Sequence, residues 1–425
     1  MNSVNVSRAR LYHKCSLYGC DLVIREAEPG DASAISALFD KTYRGEYFVS
    51  DTTVEAIRRD IETPHRCFWL IALLEGEAAP IGCLLARIDA QHRLAKLANA
   101  VVLMSVAMRV IRRARKQKLI EEADNINPSM SEKSSIADLM VQLATDHITR
   151  VNGVVDVVYA MTRTANAAPG RLGKTIGFKQ AGVLPNAIRI QDFEHLNLEV
   201  MVTPRALETR RRCTRVFSRL APMYALVAQS FGLEIPQVVE CVKPPLTSPL
   251  SMSEIQDAAK IAQKYAERQR TGHLKLNFSL FLFPNLLLSC ESVGAEIFVY
   301  HNSRSGQAII VDYWFDNANA CTVLQAAARL LDRLGATYIE MLISAHDCAL
   351  QQQAYTARYL PTAYFPAASL AHDGSREDYF VFSRTFRLID FSQSAISEEN
   401  RRFLKEYMKA YQALYVPLGA MEGAA

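Results

Sequence analysis

Apolar positions change their spacing several times along the chain, and each change marks an element. Leu22-Val-Ile24 is a short apolar strand that runs into the turn Glu28-Pro-Gly-Asp31. Behind Asp31, which can cap a helix, Ile35, Leu38 and Phe39 fall at helical spacing. Cys67–Leu74 and Ile81–Ile88 are β-prone runs separated by Glu75-Gly-Glu-Ala-Ala-Pro80 and predict an antiparallel hairpin. Leu94–Lys118 is built from Ala, Leu, Met, Arg and Lys without Gly or Pro, which predicts an inserted helix over about 92–118. Ile120–Asn127 is a short run of either type. Ile136–Val151 has a helical period, Val154–Thr162 is a β-branched run typical of a buried strand, a helix ends at Gly177, and a last strand covers His195–Val202.

From Pro204 the pattern becomes helical pieces punctuated by Pro222, Pro236, Pro244, Pro245 and Pro249, which predicts a helical linker over 205–272. Strand-like runs resume at Leu274–Leu282, Leu286–Ser289, Ala295–Tyr300 and Gln307–Phe315, before a helix at Cys321–Leu334 and a strand at Thr337–Ser344. Gly335–Ala367 can be laid on Gly153–Pro185 without a gap, both running Gly, apolar strand, helix, break and short strand, so duplication and chance are the two explanations. The fold class expected is α/β in the α+β sense: two domains, each a mixed, mostly antiparallel twisted sheet flanked by helices. The boundaries expected are an extension at 1–20, a first domain at 21–204, the linker, a second domain at 273–392, and a C-terminal helix and tail at 393–425.

Composition narrows the partners. The chain has 425 residues, half of them apolar and 22% charged, which suits two cores rather than a disordered chain. A net charge of +4 gives no whole-molecule attraction to nucleic acid or anionic lipid. The basic run from Arg109 to Lys118 and Arg210-Arg-Arg212 fit solvated helix ends, since neither has interleaved aromatic residues. Nine cysteines without a CxxC pair, and histidines without HxH or HxxxH spacing, predict neither a disulfide framework nor a metal site. No membrane span is expected, and the first twenty residues lack an apolar core of signal-peptide length, so the expected location is cytoplasmic.

Acyl transfer from a thioester to an amine needs backbone N–H groups at a helix start to hold a pyrophosphate, a base for the amine and an acid for the leaving thiolate. Glu132-Lys-Ser-Ser135-Ile-Ala137 offers small residues at such a start, although Ser134 could equally cap an ordinary helix. Over roughly Leu22–Pro204 the chain resembles the GNAT superfamily of N-acyltransferases, whose signature of Arg or Gln, two residues, Gly, one residue, then Gly or Ala falls on this hexapeptide. The resemblance implies acetyl-CoA or another acyl-CoA as co-substrate, held by Lys133, Ser134, Ser135, Ile136 and Ala137. Glu132 stands where the family places a cation or amide. The segment Asn166 to Gly177-Phe178 has the length of the superfamily's next motif, so Asn166 inherits the pantetheine contact, with a plain helix cap as the other reading. Gly173 stands where a Tyr often serves as general acid.

The first domain is most similar to bacterial and archaeal β-lysine N-acetyltransferases. Glu121 and Asp124 match their acidic residues on strand four of the fold, Met161-Thr-Arg-Thr-Ala165 their Ala-Arg-Ala strand, and Glu194-His-Leu-Asn197 their closing strand. One of Glu121 and Asp124 is then the base for the acceptor amine, or both are solvated acids. Thr42-Tyr-Arg-Gly-Glu-Tyr47 sits where those enzymes carry a Tyr-Gly-x-Thr-Tyr run, which implies acceptor contacts from Tyr43, Glu46 and Tyr47, with Asn186 in the later loop. The expected function is transfer of an acyl group, acetyl in the first instance, to a primary amine of a small amino-acid-like acceptor. The alternative is a degenerate GNAT-fold scaffold that docks an acyl-carrier protein, because the second half has no phosphate-loop pattern before Cys321.

Overall fold

Residues 10–17, 20–47, 51–103, 136–164, 176–242, 244, 248–276, 278, 280–315, 319–392 and 394–416 are described by the computed structural model. It is an α+β chain of two compact units, Met1–Ala160 and Met161–Ala425. Strands pair mostly antiparallel.

The first unit runs β1 (Tyr12–Leu17), β2 (Cys20–Glu26), α1 (Ala32–Tyr43), α2 (Val54–Ile61), β3 (Cys67–Leu74), β4 (Gly82–Asp89), β5 (Leu94–Val102), α3 (Ile136–Asp146) and β6 (Val157–Arg163), whose last residues fall past the unit boundary. The six strands are neighbours in chain order, and only β5 and β6 pair in parallel. One face of the sheet buries Trp69, Ile71, Cys83, Leu85 and Val101 against Ile35, Leu38 and Phe39 of α1 and Ile57 of α2. Asp31 spends its carboxylate on Arg25 and the Glu28 amide rather than on the start of α1.

Leu94–Val102 is therefore a strand, not the first half of the expected helix at 92–118. Between two paired strands its side chains alternate in and out of the core from Ala95 to Val102, and burial on a sheet outweighs the helical preference of Leu, Ala and Lys. Glu121 and Asp124 lie outside the described residues, as does the rest of 104–135.

The second unit holds β7 (Lys179–Arg189), β8 (Phe193–Val202), α4 (Pro204–Glu208), β9 (Arg215–Phe217), α5 (Ala221–Phe231), β10 (Gln237–Val239), β11 (Ser253–Ile255), α6 (Ala258–Arg270), β12 (Leu286–Cys290), β13 (Ala295–Asn302), β14 (Gln307–Phe315), α7 (Ala320–Arg333), β15 (Tyr338–Ser344), α8 (Cys348–Thr356), β16 (Leu360–Leu370), β17 (Arg376–Thr385) and α9 (Glu398–Tyr415). Its main sheet has the order β8-β7-β16-β17-β15-β14-β13-β12-β11, and β9 pairs β10 separately. None of the described residues of Leu274–Leu282 joins a strand, although Leu274, Leu276 and Phe278 are buried. β11 pairs with β12, so 253–255 joins this sheet from within the stretch expected to be linker.

Strand lengths recur. β4 and β13 have 8 residues each, β5 and β14 have 9, β6 and β15 have 7, β7 and β16 have 11, and β8 and β17 have 10. The hairpins match down to their irregularities: register shifts fall at Gln180/Gly182 and Leu184/Ile188 in one, and at Pro361/Ala363 and Phe365/Ser369 in the other. Ala367 matches Asn186 in the hairpins, both at positive φ, so this structural match is one residue away from the ungapped sequence alignment. β7 and β16 pair at Gly182 and Ala363, where a Cβ on Gly182 would overlap Ala363 and the Thr362 carbonyl.

Candidate functional site

β5 pairs with β6 through only the first four residues of each, Leu94–Leu97 against Val157–Ala160. Beyond Leu97 the register with β4 slips between Cys83 and Leu85, and Asn99 adopts φ +52°. This is a bulge, and Asn is among the residues that tolerate such a conformation. Gly82 lets the strands close over it, because a Cβ there would sit 3.0 Å from the Val101 carbonyl. Asn99 is buried, its Oδ1 accepts a hydrogen bond from the Tyr47 hydroxyl at 3.1 Å, and its carbonyl receives the Cys83 thiol at 3.7 Å. Burial pushes that thiol up to about 12, so Cys83 stays neutral.

Tyr47 reaches Asn99 because α1 ends in a left-handed turn at Arg44 and Gly45. The Tyr43 and Tyr47 rings lie 4.6 Å apart, Phe39 packs on both, and Trp69 meets Phe39 edge-on. Two expected acceptor residues, Tyr43 and Tyr47, are thus brought together beside the bulge, while Glu46 is exposed. On α3, Ile136 is buried among core residues with Met140 and Ala144, and Ala137 is half-buried. Lys133, Ser134, Ser135 and Asn166 lie outside the described residues.

Asn186 belongs to a different setting. It sits on the β7 bulge at φ +56°, its backbone N–H donates to His195 Nδ1 at 2.9 Å, and its amide donates to the Leu388 carbonyl at 2.9 Å. His195 Nδ1 is therefore an acceptor, Nε2 carries the proton toward the Asp390 carbonyl at 2.8 Å, and the ring packs 4.2 Å from Phe391. Burial lowers its pKa, against the smaller pull of the Asp390 carbonyl. In the matching hairpin the Ala367 N–H donates to Asp378 at 2.7 Å, and that fully buried carboxylate also takes Tyr364 and Arg210. Burial raises the Asp378 pKa, opposed first by Arg210.

One titratable residue escapes the motif pattern altogether. Glu199 on β8 is buried, accepts from Thr162 Oγ1 at 3.4 Å, and is raised to about 7, first by burial and further by Glu399. Its only sequence signal is a charged residue at an inward position of an apolar strand.

The parallel pair of the second unit repeats the frame, with Gln307–Ile310 against Tyr338–Met341. Here the chain fills the opening itself. The Lys275 and Leu276 amides donate to the Tyr313 carbonyl at 3.2 Å and to Asp312 Oδ1 at 3.0 Å, and Leu276, Phe278, Leu280 and Leu282 line a small apolar cavity with Ile310 and Met341. At the start of α7 the Cys321 N–H is taken by Asn319 and Gln353, and the Thr322 N–H by Asn319. Those amides are not available to an anion.

Among the described residues no group of three His, Cys, Asp or Glu side chains is placed to hold a metal, and no helix is long and apolar enough to cross a membrane. No protein-family model matches the chain, and no curated protein matches it. Solved structures do. An acetyltransferase of the GNAT family from Streptococcus pneumoniae is similar at 18% identity and TM-score 0.32, over 43% of this chain and 99% of that one. RimJ of Mycobacterium smegmatis, in complex with CoA-disulfide, is similar at 15% identity and TM-score 0.32, over 45% and 86%. A variant of the spermidine N-acetyltransferase SpeG from Vibrio cholerae is similar at 14% identity and TM-score 0.30, over 42% and 94%.

Proposed function

We propose that the chain is an acyl-CoA-dependent N-acyltransferase of GNAT architecture that moves an acyl group, acetyl in the first instance, to the primary amine of a small amino-acid-like acceptor. The observation that carries the reading is the parallel pairing of β5 with β6, which lasts four residues and gives way to the Asn99 bulge. A strand that leaves its partner exposes backbone amides, and such amides can polarise a thioester carbonyl. The helix start at Lys133–Ala137 then receives the pyrophosphate and Asn166 the donor arm. Glu121 or Asp124 takes the proton as the amine nitrogen attacks and the carbon–sulfur bond breaks. Tyr43 and Tyr47 form the acceptor wall, with Glu46 as a further contact. The recurring strand lengths and matched hairpin bulges support residues 253–385 as a second, degenerate copy of the same fold.

A second reading is a scaffold without turnover that docks an acyl-carrier protein, favoured by the self-filled opening beside β14 and the occupied amides of α7. Calorimetry with acetyl-CoA separates the two. The enzyme reading expects saturable heat at one site per chain, lost in Ser135→Glu, whereas a wild-type chain that gives no heat overturns it.

A further inference from the structure

Three of the nine cysteines, far apart in sequence, converge on one piece of backbone in the second unit. Cys213 Sγ donates to the Arg215 carbonyl at 3.3 Å and Cys348 Sγ to the same carbonyl at 3.7 Å, while Cys241 Sγ donates to the Cys348 carbonyl at 3.3 Å. The topology explains the meeting. Cys213 precedes β9, Cys241 follows its parallel partner β10, and Cys348 is the first residue of α8. Asp347 caps that helix through the Leu350 N–H at 2.9 Å, so the Cys348 backbone is held. Cys241 lies on irregular chain beside Val242, which is 93% exposed. Cys213 is fully buried; the other two thiols are half-exposed.

We propose that Cys241 and Cys348 are a thiol pair that a two-electron oxidant of the peroxide class closes into a reversible disulfide, with Cys213 left as a buried thiol beneath it. One thiolate attacks a peroxide oxygen and becomes a sulfenic acid as the first water leaves; the second thiol attacks that sulfur, the S–S bond forms, and a second water departs. The two sulfurs lose two electrons and two protons, and the peroxide takes up both. Cys348 is the fixed partner and Cys241 the one that swings. The link would tie the chain after β10 to α8.

Burial raises both thiols, for Cys348 with help from Cys241, and Arg215 pulls the other way. The pair therefore reacts as a slow lock whose closing quickens as pH rises, not as a fast sensor. Cys213 is pushed up to about 12, chiefly by burial, and stays a thiol.

The test treats the full chain with hydrogen peroxide and reads intact mass and non-reduced peptide maps. The wild type is expected to lose about 2 Da, the two thiol hydrogens, and to yield a thiol-cleavable peptide joining Cys241 to Cys348. Cys241→Ser and Cys348→Ser are each expected to give neither. Since Cys241 is half-exposed, Cys241→Ser also serves should Cys348→Ser fail to fold. The proposal is overturned if both thiols of the oxidised wild type remain open to iodoacetamide, or if the cross-link joins Cys213 instead and leaves Cys241 alkylated.

Discussion

The sixth residue of β5 is Asn99 and the sixth of β14 is Asp312, and the two do different work at the same place on matched strands. Asn99 turns the backbone into a left-handed bulge and accepts from Tyr47, an aromatic residue on the turn after α1. Asp312 is fully buried and gathers the Leu276 and Tyr313 amides, drawing the chain's own segment into the opening between β14 and β15. One strand end thus holds an aromatic cluster and the other holds a plug. A fork between parallel strands does not by itself make a binding site; what the residue beside it recruits decides that.

The largest way to break this contrast is Asp312→Ala, which leaves two amide donors inside the core without their acceptor and should cost about 3 to 4 kcal/mol. Urea melts would measure the loss, and hydrogen exchange at Leu276 should rise more than elsewhere if the plug is what comes free. Next is the hairpin pair. Aligned on the capped bulges, His195, Asn197 and Glu199 of β8 correspond to Asp378, Phe380 and Phe382 of β17, so the first hairpin buries a titratable group where the second buries a ring. Glu199 is raised from the ordinary 4.5 to about 7. Protonation in the fold therefore contributes stability that is complete below about 4.5 and is lost as pH rises through about 7. The span is worth at most about 3 kcal/mol by linkage. Melting temperature against pH should show this fall in the wild type, and Glu199→Gln should flatten it.

Two smaller changes sharpen the first fork. Asn99→Ala places an ordinary residue at positive φ and removes the acceptor of Tyr47, a loss of about 2 kcal/mol. Tyr47→Phe removes only the hydroxyl and should cost about 1 kcal/mol. A double-mutant cycle tests the link directly: if the two losses simply add, Tyr47 and Asn99 are not coupled and the wall is ordinary packing.

The hairpin β3–β4, strands β13 and β14, and helix α7 were legible in the sequence because their apolar runs meet one dominant spacing. β5 was hidden because its inward positions include Asn99 and its outward ones include Ala98 and Ala100, which inverts the expected alternation, while Leu, Ala and Lys favour a helix. Leu274–Leu282 misled in the opposite sense. Leu274, Leu276 and Phe278 are buried, but the Lys275 and Leu276 amides bond a carbonyl and a carboxylate instead of a ladder, and spacing alone cannot report that. The run Thr42–Tyr47 placed Tyr43 and Tyr47 close in sequence, and their rings pack together in the fold. Glu199 was not legible, because its raised pKa comes first from burial, which only the packed fold sets, and then from Glu399, far away in sequence.

Gly182 and Ala363 are counterparts in the matched hairpins, and they are also the residues that touch where β7 meets β16. A position that contacts its own equivalent lies on a local two-fold axis, the arrangement found at the centre of a symmetric dimer interface. On such an axis a side chain faces its own image, and the space there admits one methyl but not two. Two alanines could not meet there, so the join requires glycine on at least one side of the axis. The missing methyl of Gly182 is what lets these two hairpins become a single sheet.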